Sequence, residues 1–213
     1  MKVAIFGDVH GNLIALETFL DFAMPRVDSF ICTGDLVNYG PWSEECVLVT
    51  KSLDNLLCVR GNHEDLFQSS DTRKVSPLVA EFTDFSLPGF SQYDWISSLP
   101  LEEQFNDFTI SHTLESRYIY ANTDIQIDSS RIIGHSHQQF MRHQNACLLI
   151  NPGSVGQNRE FIDLVQFAIY ESDTSTIQFF SLQHDIDAVI AEMKTRKYSA
   201  RCINYYQSKP RIG

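Results

Sequence analysis

The chain reads as an α/β protein built on parallel strand–helix–strand units, and three observations say so. Short apolar runs rich in β-branched residues recur along it. Each run ends at Gly, Asp, Asn or His. In the first half these runs alternate with stretches whose apolar residues repeat at helical spacing. The elements follow in order. Lys2–Phe6 is the first strand. Leu13, Leu16, Leu20 and Ala23 then mark a helix that Asn12 caps and Pro25 closes. Ser29–Thr33 is the second strand, and a helix from Ser43 to about Leu53 turns Val47, Leu48 and Leu53 inward. Leu56–Val59 is the third strand. From Glu64 to Leu99 the chain is helical and loop-like, punctuated by Pro77, Pro88 and Pro100. Strands dominate after Leu101: Phe108–Ser111, Arg131–Ile133, Ala146–Ile150, and a hairpin of Leu164–Tyr170 with Thr176–Leu182 across Glu171–Ser175. A last helix covers Ile186–Lys194, and the tail from Tyr198 to Gly213 carries no readable pattern.

With 213 residues the chain is long enough for one good core, and residues 1–213 are read as one domain. A net charge of −11 argues against binding to a nucleic-acid polymer, which needs Lys and Arg to replace phosphate counterions. A small phosphorylated or nucleotide-like substrate is compatible with that charge if metal cations reverse the local field. The five cysteines are scattered, and Cys32, Cys58 and Cys147 lie in strand-like runs as buried thiols do. No signal peptide and no membrane span is expected, so the cytoplasm is the expected compartment.

The polar residues at the strand ends carry the chemistry. Asp8 and His10 follow the first strand, Asp35 the second, and Asn62 and His63 the third. His112, then His135 and His137, end later strands. In open α/β sheets the ligand site lies beyond the carboxyl ends of strands, where side chains from separate strands converge. Asp8/His10 and His135/His137 are i, i+2 pairs, which in an extended chain face the same side. Carboxylate, amide oxygen and imidazole without thiolate suit Mn, Fe, Zn, Ni or Co rather than a cysteine-rich zinc site. Five of the seven histidines fall at these ends. His143 and His184 are left over and read as ordinary surface residues.

These segments resemble the signature blocks of the calcineurin-like metallophosphoesterases: Gly7–Asn12, Gly34–Gly40, Arg60–Glu64 and Gly134–His137. Asn151–Gln157 is similar to a block of the small bacterial and archaeal phosphodiesterase branch. The blocks run in family order from residue 7 to about 159. The resemblance implies a four-layer α/β/β/α sandwich of two mixed sheets flanked by helices, with two divalent metals, Mn foremost, at one end. Asp8, His10, Asp35 and His137 would hold one ion. Asp35, Asn62, His112 and His135 would hold the other, with Asp35 shared as two cations ~3.5–4 Å apart require. A hydroxide bridging the metals would attack phosphorus, and His63 would protonate the leaving oxygen.

Phosphoprotein phosphatases of the superfamily carry Asp-Arg where this chain has Asn38-Tyr39. That difference, the compact length and the second histidine of Gly134–His137 favour a diesterase, with phosphomonoesters as further substrates. Dinucleoside tetraphosphate hydrolase is the nearest rival, since Val59–Glu64 is also close to that branch. A protein phosphatase comes next. A non-catalytic scaffold of the same fold is disfavoured because every ligand position and His63 are intact. Asn38 is expected beside His63, able to hydrogen-bond it but not to stabilise an imidazolium by charge. Arg60 and then Arg159 are the cations available for phosphate, each with a surface salt bridge as the alternative. Asn12 reads as a helix cap, Tyr39 and Trp42 as aromatic walls or packing, and Asn151–Gln157 as a turn supporting the metal loops. Relatives in this branch form dimers or larger homo-oligomers; nothing in the sequence decides that here.

Overall fold

The computed structural model describes residues 1–212, and its first strand is buried on both faces. In β1 (Lys2–Phe6) all but Lys2 are buried, with Ala4 and Phe6 in one apolar cluster and Val3 and Ile5 in another. A strand apolar at every position belongs in the centre of a covered sheet. There it pairs in parallel with β2 (Ser29–Cys32), and β2 with β3 (Leu56–Cys58). On its other side β1 pairs antiparallel with β9 (Leu164–Glu171), which continues into β10 (Thr176–Gln183). The first sheet therefore has the order β10-β9-β1-β2-β3.

The second sheet has the order β4-β5-β6-β8-β7. Its strands are β4 (Glu102–Phe105), β5 (Phe108–Ser111), β6 (Ser130–Ile132), β7 (Phe140–Gln144) and β8 (Cys147–Asn151). Both sheets are mixed, and they meet face to face. Val3, Ile5 and Ile31 of the first pack on Phe108, Ile110, Ile132 and Ile150 of the second. Two strands, β4 and β7, have no counterpart in the expected elements. β4 alternates half-buried and exposed residues, and β7 is an edge strand, so neither carries an apolar run.

Helices α1 (Leu13–Ala23), α2 (Ser43–Lys51), α3 (Asn62–Ser69) and α5 (Tyr93–Ser98) cover the other face of the first sheet. Phe19 of α1 stacks on Phe6 at 4.6 Å. Asn12 caps α1 by accepting from the Ala15 N–H at 3.1 Å. In α2, Cys46, Val47 and Thr50 face inward whereas Leu48 is 46 % exposed; the expectation that Leu48 turned inward is corrected, because the helix points its stripe a quarter-turn away. α4 (Pro77–Ser86), α6 (Ile186–Thr195) and α7 (Ala200–Gln207) form a further cluster around Phe82, Met193 and Tyr206. The tail thus contains a helix, begun by the Ser199 cap at 3.2 Å from the Cys202 N–H. On the outer side of the second sheet the flanking cover is irregular chain, with Leu114, Ile119, Ile125 and Ile127 packed on Ile133, Phe140 and Leu149. Among the described residues no helix is long and apolar enough to cross a membrane.

Candidate metal centre

The strand-end residues converge where the two sheets meet, but not by extended geometry. Asp8, His10, Asp35, His135 and His137 all have left-handed backbones, with φ between 49° and 67°. Each such residue is strained by roughly 1–3 kcal/mol and persists only where its surroundings over-determine it. The i, i+2 pairs face a common point because the chain doubles back at each member. An extended strand would also put i and i+2 on one side, but here the left-handed turns bring them together.

Hydrogen bonds supply the over-determination. Asp8 N–H donates to Gly34 O at 2.9 Å, His10 N–H to Asp35 O at 3.0 Å and Gly11 N–H to Leu36 O at 2.8 Å. Glu64 is fully buried and its carboxylate accepts from four backbone N–H groups. These are Asp35 at 2.9 Å, Leu36 at 2.7 Å, Val37 at 3.3 Å and Gly61 at 2.8 Å. A single side chain therefore ties the loop after β2 to the loop after β3. Gly61 is needed there, since a Cβ on it would sit 2.1 Å from Asp35 Oδ1. On the second sheet Asn151 donates to Gly134 O at 2.7 Å and to Ser136 Oγ at 3.0 Å. Ser154 Oγ donates to Asp8 O at 2.8 Å. The Asn151–Gln157 segment supports the loops around the site, as read from the sequence.

Backbone carbonyls orient three imidazoles. His10 Nδ1 lies 3.2 Å from Val37 O, His137 Nδ1 2.6 Å from Gln157 O, and His112 Nδ1 2.8 Å from Thr33 O. Each Nδ1–H donates to its carbonyl, which leaves a bare Nε2 lone pair turned inward. His10 Nε2 and His137 Nε2 then face each other at 3.2 Å, with Asp8 Oδ1 3.5 Å from the latter. His112 Nε2 faces Asn62 Oδ1 at 3.0 Å, His135 Nδ1 at 3.1 Å and Asp35 Oδ2 at 3.2 Å. Acceptors aimed at acceptors repel unless a cation sits between them. The donor chemistry fits divalent metal ions at two points. Asp8, His10 and His137 form one set within 4.8 Å, Asp35, His112 and His135 another, and His10, Asp35 and His63 a third. Asp35 belongs to two of the three.

The protonation tendencies agree. Burial pushes the Asp8 carboxyl up to about 8. Burial and the neighbouring His63 hold His10 well below the usual histidine range, and burial and His10 do the same to His137. His112 goes the other way: burial opposes its charge, but the Asp35 carboxylate lifts it to about 10. Without a metal, a proton on His112 serves as the cation the cluster requires.

His63 lies just outside, its Nε2 4.0 Å from Asp35 Oδ2. Asn38 meets its Nδ1 at 3.0 Å. The direction of that bond follows from the surrounding network. Thr83 gives its hydroxyl proton to Val79 O at 2.8 Å and so accepts from Asn38 Nδ2 at 3.0 Å. Asn38 Oδ1 accepts from the Tyr39 N–H at 2.8 Å. The amide N–H groups therefore point at Thr83 and His63, and the His63 proton resides on Nε2, which faces the cleft. Burial lowers the pKa of His63, against the pull of Asp35.

The two arginines exchange rank. Arg60 donates to Ser97 O at 3.1 Å and pairs with Asp65 at 2.9 Å, so its charge is already spent. Arg159 lies over the Tyr118 ring at 5.0 Å and lines the pocket above His10, His63 and His137. Tyr39 walls that pocket, edge-on to His10 at 5.0 Å, whereas Trp42 packs in the core. His143 is exposed. His184, read as a surface residue, is buried: its Nδ1–H donates to Asp163 O at 3.0 Å and its Nε2 accepts from Asn12 at 3.0 Å. An isolated His before a helix carries no signal for that. Glu64, Gln157, Tyr118 and Lys74 were not singled out. For Glu64 a signal existed, since Gly61 to Glu64 has the spacing at which a glutamate reaches back to a helix N-terminus.

Residues 1–167 match the family model described as calcineurin-like phosphoesterase. An uncharacterized protein of Methanocaldococcus jannaschii is 27% identical over 86% of this chain and 88% of its own length. A symmetrical bis(5'-nucleosyl)-tetraphosphatase of Haemophilus influenzae is 34% identical over 53% of this chain, which spans 44% of that enzyme. Among solved structures, a metallophosphoesterase from Sphaerobacter thermophilus superposes with a TM-score of 0.81 at 25% identity, covering 97% of this chain and 98% of that one.

Proposed function

Because the chain belongs to the calcineurin-like phosphoesterase family, we propose that it hydrolyses phosphodiesters with two divalent metal ions. Asp8, His10, Asp35 and His137 would hold one ion and Asp35, Asn62, His112 and His135 the other, with Mn the first candidate. The observation that carries the diester reading is the position of the donor cluster. It lies on the ridge between two pockets that share Asn62 and His135, so both substituents of a phosphodiester find room. The bound ions supply Lewis acidity and acidify a water from a bulk pKa of ~15.7 towards ~7.

The chain's own residues do the rest. Arg159 stands over the same pocket as His63 and neutralises a phosphoryl oxygen as charge builds there. His63 presents Nε2–H as a hydrogen-bond donor to the departing oxygen, and transfers that proton only from its imidazolium form. Asn38 keeps that tautomer in place. The free state of all five cysteines supports a reducing compartment, for which the cytoplasm is the reading. The assay is side-by-side hydrolysis of bis(p-nitrophenyl) phosphate, p-nitrophenyl phosphate and diadenosine tetraphosphate with added Mn. The diester should lead; a lead for the monoester would sink the diesterase reading. A lead for the tetraphosphate would install the second reading, which the Haemophilus influenzae likeness favours.

A further inference from the structure

The two pockets beside the centre differ in how their charges are spent. In the second, of 430 Å³, Arg60 is paired with Asp65. Glu102 is paired with Arg131 at 3.2 Å and Glu115 with Arg117 at 3.1 Å. Every charge lining it is balanced by a neighbour. The first pocket, of 280 Å³, is lined by Lys74 and Arg159, and neither has a carboxylate partner among the described residues. Ser76, the N-cap of the ten-residue helix α4, stands on the same wall. A helix N-terminus favours an anion through its partial positive charge.

Gln157 adds an independent sign. It lines this pocket and is only 1 % exposed, yet its Nε2 has no hydrogen-bond partner among the described residues. A buried amide left unpaired costs about 1–3 kcal/mol, a cost that a ligand oxygen removes. Its backbone is anchored on both sides: the carbonyl accepts from His137, and the N–H donates to Ser154 Oγ at 2.8 Å. The backbone of Gln157 is therefore held at the pocket's edge. Two cations without carboxylate partners, a helix N-terminus and an unpaired N–H donor line one pocket, and phosphate, with three or four acceptor oxygens, matches them.

We propose that Lys74, Ser76 and Gln157 form a subsite for a second phosphate, carried on the substrate arm that occupies the first pocket, with Arg159 left to the reacting phosphoryl group, while the second pocket takes an uncharged arm. The preferred substrate is then a phosphodiester with one phosphorylated arm and one neutral one. This rests on the diesterase reading for the reaction but not for the binding. Calorimetric titration of the Mn-loaded protein with AMP and with adenosine 3′,5′-bisphosphate tests it. The bisphosphate should bind about tenfold more tightly, an advantage of about 1.4 kcal/mol that shrinks as ionic strength rises. K74Q and Q157L should each erode that advantage. Equal affinities in the wild type, or an advantage untouched in both variants, overturn the subsite. Turnover of bis(p-nitrophenyl) phosphate reports separately on the reaction. Its absence alongside an intact bisphosphate advantage would sink the diesterase reading and leave the subsite standing. Its presence without that advantage would sink the subsite alone.

Discussion

The two halves of the centre are held by opposite chemistry. The loops after β2 and β3 depend on a charge: the buried Glu64 carboxylate collects four backbone N–H groups. The loops after β6 and β8 depend on neutral donors, chiefly Asn151 and Ser154. A carboxylate holds more N–H groups than an amide can, but burial and the nearby Asp35 push Glu64 up to about 7. The charged brace is stronger and more conditional. The neutral one is weaker and indifferent to pH.

Breaking the charged brace should have the largest effect. Glu64→Ala strands the N–H groups of Asp35, Leu36 and Gly61, at about 1–3 kcal/mol each. We expect a loss of 3 kcal/mol or more in urea unfolding, together with loss of bound metal. A loss under about 1 kcal/mol would remove Glu64 from this role.

Acid should act by a second route outside both braces, through His184, which bonds Asn12 after β1 and Asp163 before β9. Burial holds its folded pKa at about 4 against an ordinary 6.5, so between these values the unfolded chain binds the extra proton. Stability should fall as pH drops through that window, by up to about 3 kcal/mol at its acid end. His184→Gln should flatten the fall. An equally steep fall in that variant would assign the acid sensitivity elsewhere.

Metal binding distinguishes the halves again. With His112 lifted to about 10 in the metal-free protein, an ion must displace its proton. Mn affinity measured from pH 6 to 8 should rise about tenfold per pH unit. A flat profile would contradict the His112–Asp35 pairing.

Smaller effects complete the comparison. Asn151→Ala should cost about 1–2 kcal/mol and leave a pH profile parallel to that of the wild type. Asn38→Asp tests the one neutral link inside the charged half. An aspartate would accept from Nδ1–H, favour the imidazolium and aid poorly departing groups. Methyl p-nitrophenyl phosphate and dimethyl phosphate, compared in both proteins, should show a relative gain of about tenfold on the latter; no gain would mean that His63 does not protonate the leaving group.

The sequence announced the centre far better than its supports. Candidate ligand residues announce themselves because metal chemistry needs particular atoms at strand ends, and Asp8, His10, Asp35 and His135 stand close after apolar runs. The first-sheet strands were legible for a related reason, since β1 is apolar from Val3 to Phe6. What stayed hidden depends on partners distant in sequence. The rank of Arg60 and Arg159 turns on Asp65 and Tyr118, the burial of His184 on Asn12 and Asp163, and β4 and β7 on neighbours that pair with them rather than on any pattern of their own. The left-handed turns at the ligands were invisible too, because Asp and His tolerate them without the glycine that would flag them.

The strand order has a further consequence, for biosynthesis. β1 is made long before β9, yet one of its edges pairs with it, register Lys2 to Glu171. Until residue 171 has been synthesised, that edge has no partner, and the first sheet, whose strand ends hold Asp8, His10 and Asp35, lacks two of its five strands. Such long-range pairing folds slowly. A nascent chain of this protein would complete the candidate metal centre only after residue 171 has been made, so the order of synthesis itself delays the acquisition of metal until both sheets can close.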